Sequence, residues 1–136
     1  MGMSCSSAIF LENSGSNTVT EGGIIPVGNI MRRFGSNLNV SGTGIVASGS
    51  GYYLVDSSFT VAPSAVGTVG ISLLIDGESV GSVTQAYGTT AEEPVNITVV
   101  GLVRVTCCDN ARKFIEFELT NNTGVVTQSN IVIAKV

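Results

Sequence analysis

Apolar and polar residues alternate with a period of two along much of the chain, the pattern of half-buried β-strands. The clearest run begins at Gly51. Tyr53, Val55, Ser57, Phe59 and Val61 share one face; Tyr52, Leu54, Asp56, Ser58 and Thr60 share the other. Pro63-Ser64 ends it. Thr68 to Ile75 follows, with Val69, Ile71, Leu73 and Ile75 on one face. Asp76-Gly77 is a strong tight-turn dipeptide, so Val80 to Tyr87 returns as the second arm of a hairpin. Glu92 to Thr106 alternates through Val95, Ile97, Val99, Gly101, Val103 and Val105, and Cys107 to Asn110 reads as a turn. In Lys113 to Thr120, Ile115, Phe117 and Leu119 point inward while Phe114, Glu116 and Glu118 point outward. Asn121-Asn122-Thr123-Gly124 is a further turn, and Ile131 to Val136 is a last strand.

The first third is less regular. Ser7 to Leu11 reads as a first strand, with 1–17 as a whole a first strand or docking arm. Thr18-Val19 and Gly23 to Val27 form an extended stretch, and Asn37 to Ser41 pairs with Gly44 to Ala47 around Gly42-Thr43. No stretch has a helical period. About eight to ten strands, with turn signals every 8–12 residues, predict an all-β sandwich or barrel. A length of 136 residues makes 1–136 a single domain.

Composition sharpens this. Charged residues make up 12% of the chain, against about 25% in an ordinary soluble protein. Mean hydropathy is +0.42, yet no run of about 18 apolar residues occurs, so no membrane span is expected. A charge-poor chain of this kind must cover its apolar surface, and burial between subunits does so; an obligate oligomer is the expectation. Net charge is −4 with six basic residues. No basic stripe with interleaved aromatics appears, so nucleic acid is not an expected partner. The N-terminus lacks a basic segment followed by an apolar stretch, so no secretory signal is expected.

The chain contains no histidine. That removes the commonest general base and zinc ligand, and no glycine-rich loop joins a strand to a helix. An enzyme is therefore not expected, nor a cofactor. Cys107 and Cys108 are adjacent, a spacing at which direct bonding is strained. Free or structural thiols, a disulfide from Cys5 to one of the pair, and a metal site shared between subunits all remain open. Glu116 and Glu118 lie on one strand face, but the oxygen-ligand spacing of a calcium loop is missing. Asp56 shares its face with Tyr52 and Leu54. If that face is covered, Asp56 requires a cation, with Arg32, Arg33 or Arg104 as the candidates.

The block from Gly51-Tyr52-Tyr53-Leu54-Val55 through Ile71-Ser72-Leu73-Leu74-Ile75-Asp76-Gly77 resembles the superfamily of tumour necrosis factor and the complement globular head. The resemblance implies a jelly-roll β-sandwich that trimerises around an apolar axis. Cys5-Ser6-Ser7-Ala8-Ile9, Ile25-Pro26-Val27-Gly28-Asn29-Ile30-Met31-Arg32-Arg33-Phe34-Gly35 and Gly51-Tyr52-Tyr53 are also similar to small proteins of Firmicutes and their prophages. That likeness spans nearly the whole chain. It implies a bacteriophage virion structural protein: a homotrimer decorating the capsid or forming a head or tail fibre module, with major capsid or fibre proteins as partners. The alternative is a spore-surface module, or a complement-head-type module for a host-surface glycan or protein, using loops Gly42–Gly51, Pro63–Gly67 and Asn121–Gly124. No Gly-x-y stalk precedes the domain, which favours a subunit that docks directly. The expected core and oligomer residues are Tyr53, Val55, Phe59, Ile115, Phe117, Val132 and Val136. Arg32 and Arg33, with Met1 to Asn17, are the expected docking residues.

Overall fold

The computed structural model describes residues 7–88, 93–106 and 112–136, and for 81–88 the backbone alone. Eleven strands are found among the described residues: β1 (Ala8–Asn13), β2 (Asn17–Val19), β3 (Asn29–Phe34), β4 (Leu38–Ser41), β5 (Gly44–Ser48), β6 (Gly51–Pro63), β7 (Gly67–Ile75), β8 (Glu78–Gly88), β9 (Val95–Val105), β10 (Arg112–Thr120) and β11 (Gly124–Lys135). They form two antiparallel sheets. The first has the order β3-β1-β11-β6-β9, with β2 paired to β11; the second has the order β4-β5-β10-β7-β8. Strands distant in sequence are neighbours in each sheet. The architecture is the expected jelly-roll β-sandwich.

The inward faces match the period-two reading. Tyr53, Val55, Phe59, Ile115 and Phe117 are buried. The Phe59 and Phe117 rings meet across the sandwich, with centroids 5.2 Å apart and planes tilted by 55°. Edge-tilted contact at this distance is favoured by the ring quadrupoles. Tyr53 is buried, but its hydroxyl donates to the carbonyls of Ser48 (3.0 Å) and Gly49 (2.8 Å). It thereby ties the β5–β6 connection to the core.

The Asp76-Gly77 turn forms as predicted. Both residues have positive φ, 53° and 85°, as a tight hairpin turn requires. Asp76 also binds β10: its N–H donates to the Phe114 carbonyl, and its Oδ1 accepts from the Phe114 N–H, each at 2.8 Å. Lys113 Nζ lies 3.4 Å from Asp76 Oδ2.

Three details differ from the sequence reading. The strands number more than the eight to ten expected. The last strand begins at Gly124 rather than Ile131, because a register shift between Val126 and Gln128 breaks the alternation midway. β3 was not foreseen; all six of its residues are exposed on a sheet edge, so it shows no apolar alternation.

Candidate functional site: the outer face of the first sheet

Cross-strand register places the outward residues of the first sheet in rows. One row runs Phe34, Ala8, Ala134, Leu54, Leu102 from β3 to β9. The next runs Arg32, Phe10, Val132, Asp56, Val100. Beyond the first row, the Val136 N–H donates to the Tyr52 carbonyl at 2.9 Å. Tyr52 pairs with Arg104, whose guanidinium carbon lies 5.8 Å from the ring centre. Toward the other end the rows turn polar: Asn29, Glu12, Asn130, Ser58 and Thr98, then Gln128, Thr60 and Asn96. The face is therefore split along the strands into an apolar half and a polar half.

The apolar half is open in the single chain. Val100 and Leu102 keep 58% and 60% of their surface exposed, whereas Ile97, Val99, Val103 and Val105 on the same strand keep 3% or less. Phe34, Tyr52, Leu54, Val132 and Val136 are exposed as well. Ala8, Ile9, Phe10, Arg32, Phe34 and Val132 surround a shallow hollow of about 110 Å3. These side chains form a contiguous apolar surface across the half-face.

The expected site residues thus separate. Tyr53, Val55, Phe59, Ile115 and Phe117 belong to the core within one chain. Val132 and Val136 lie on the outer face, available to a second molecule. Arg32 borders the apolar hollow. Arg33 points the other way on its strand, and its Nη1 donates to Asn39 Oδ1 at 2.7 Å, bridging the two sheets at their edge. Asp56 is exposed between Val132 and Val100. Cys5, Cys107 and Cys108 lie outside the described residues.

The three loops do not share one apex. Pro63–Gly67 and Asn121–Gly124 meet: the Ser64 N–H donates to the Thr123 carbonyl at 2.8 Å, and Asn122 Nδ2 to the Ala65 carbonyl at 2.9 Å. The segment Gly42–Gly51 ends at the start of β6, whereas Pro63 is at the other end of that thirteen-residue strand.

The second sheet carries a cleft of about 360 Å3 lined by Ser41, Val46, Asp76, Arg112, Lys113 and Phe114. Its Asp76 and Lys113 are already engaged with each other. Glu116 accepts a hydrogen bond from the Thr43 hydroxyl. Among the described residues, no three acidic or cysteine side chains converge on a metal position. Nor is there among them a helix long and apolar enough to cross a membrane.

Sequence reasoning singled out Val132 and Val136 but missed Val100, Leu102, Phe34 and Ala134. The signal was present in β9. Val99-Val100 and Leu102-Val103 are apolar on both faces of a strand that otherwise alternates, and two-sided hydrophobicity implies a covered outer face.

No protein-family model matches the chain, and no curated protein matches it. Solved structures do. The Eiger tumour necrosis factor of S. frugiperda superposes with a TM-score of 0.69 at 14% identity, covering 96% of this chain and 91% of that one. The globular domain of zebrafish complement 1qA gives 0.66 at 7% identity, with 95% of each chain covered. Vertex protein P5 of PRD1 gives 0.64 at 16% identity, with 96% of each covered. The fold is that of the tumour necrosis factor and complement globular-head jelly rolls, as the central block of the sequence implied.

Proposed function

We propose that this chain is a non-catalytic structural subunit that assembles as a homotrimer through the apolar half of its first sheet, and that it serves as a bacteriophage virion component. The observation that carries the assembly is the split outer face. Large apolar side chains stand open on one half, while the core beneath is closed. An obligate interface buries about 2,000 Å2 or more, and at about 25 cal/mol per Å2 apolar burial on that scale offsets the cost of association. The virion role, as capsid decoration or a head or tail fibre module, draws on the sequence resemblance to prophage proteins. The shared fold with a PRD1 vertex protein supports it. In this reading the polar half, with loops Pro63–Gly67 and Asn121–Gly124 at its end, stays outside the subunit contact.

Two measurements test the reading. Sedimentation mass at micromolar concentration is expected to correspond to three chains, and a monomer would refute the assembly. Antibody labelling of purified virions is expected to decorate particles. Label confined to spore surfaces would replace the virion role with the spore one.

A further inference from the structure

Asp56 places a carboxylate in the apolar half-face, with Val132 and Val100 as its cross-strand neighbours. It is exposed in the single chain, and among the described residues it forms no ion pair. Arg104 stands at the β9 margin of the same half-face, against Tyr52, and it too has no carboxylate partner among the described residues. Leu54 and Leu102 form the row between them.

Covering this half-face strips water from Asp56. A carboxylate buried with no counter-charge is strongly unfavourable, so whatever covers the face must bring a cation. An apolar protein surface or a lipid tail brings none, whereas a second copy of this chain does. A head-to-tail contact joins two different parts of the surface and gives a ring where the rotation closes. β9 ends its sheet and carries Val100, Leu102 and Arg104 outward. Laid on the β6–β11 face of the next copy, it delivers two apolar side chains and one guanidinium to the surface that holds Asp56. A guanidinium suits this place because its planar donors engage a carboxylate in pairs and it is weakly hydrated.

We propose that Asp56 of each subunit pairs with Arg104 of the neighbouring subunit. The inference rests on the reading that the chain self-assembles through this face. Its test is the sedimentation mass of the full chain across a dilution series, for the wild type, Asp56→Arg, Arg104→Asp and the double swap. Each single change is expected to raise the dissociation concentration by at least about tenfold, and the double swap to recover most of that loss. Circular dichroism is expected to be unchanged throughout, since both positions are exposed. Should charge reversal unfold the chain, Asp56→Asn and Arg104→Gln read the same coupling. A monomeric wild type overturns the assembly reading itself. A trimeric wild type with additive single effects overturns the pair and leaves the assembly standing. Rescue of Asp56→Arg by Arg32→Asp in place of Arg104→Asp overturns the assignment to Arg104.

Discussion

Leu73 of β7 packs across the sandwich onto Gly101 of β9, so closely that a methyl group at Gly101 would lie 2.5 Å from Leu73 Cδ2. The glycine is an inward position of its strand with no side chain of its own, and the leucine fills the space. Gly101→Val is expected to destabilise the fold by about 1–3 kcal/mol through overpacking. In combination with Leu73→Ala the cost is expected to fall well below the sum of the two single changes, because the positions share one volume. Denaturant unfolding of the four variants reads this directly. Additive effects would show that the two residues do not share that space.

The Phe59–Phe117 contact joins the sheets near the middle of β6 and β10. Phe117→Ala is expected to cost about 3–5 kcal/mol, the range for deleting a buried ring. A double-mutant cycle with Phe59→Leu is expected to show a coupling of about 0.5–1.5 kcal/mol beyond area burial. Equilibrium unfolding in urea is the check.

Tyr53 makes stability depend on alkaline pH. Burial raises its pKa above the usual 10.0, and a hydrogen bond with Asn37 partly opposes the rise. The folded chain therefore holds the phenol neutral where the unfolded chain ionises it. The stabilisation is full below pH 10, declines as the unfolded state loses its proton, and is gone above the raised folded value. Tyr53→Phe is expected to cost about 1 kcal/mol at neutral pH through loss of the bonds to Ser48 and Gly49, and to show a shallower decline in stability above pH 10. Unfolding midpoints from pH 7 to 11 test both effects.

The hairpin turn offers a local test. Gly77 has φ 85°, a region costly for residues with a Cβ. Gly77→Val is expected to destabilise the chain by about 1–2 kcal/mol, with fold and assembly retained. A thermal unfolding midpoint equal to that of the wild type would contradict the turn geometry.

Much of the sandwich was legible because its strands are buried on one face. Period two in β6 and β10 identified Tyr53, Phe59, Ile115 and Phe117, all of which are interior. Two features escaped for opposite reasons. β3 has every residue exposed, so burial imposes no alternation on it. The first half of β11 does alternate, but the shift at Val126 and Gln128 displaces the pattern. The apolar half-face was half legible. Val132 and Val136 were picked out, but Phe34, Ala134, Leu54 and Leu102 come together only through pairing of strands far apart in sequence. No local pattern encodes that row. Asp56 was recognised as a residue needing a cation if its face is covered, and the register shows that its immediate neighbours are valines.

The most direct test of the account is the mass of the wild-type chain in solution beside that of Leu54→Glu/Leu102→Glu. Both leucines are exposed in the single chain, so the variant is expected to keep the wild-type circular dichroism spectrum. At micromolar concentration the wild type is expected to sediment as three chains and the variant as one. A wild type that sediments as a single chain, or a variant that remains trimeric, would contradict assembly through the apolar half-face.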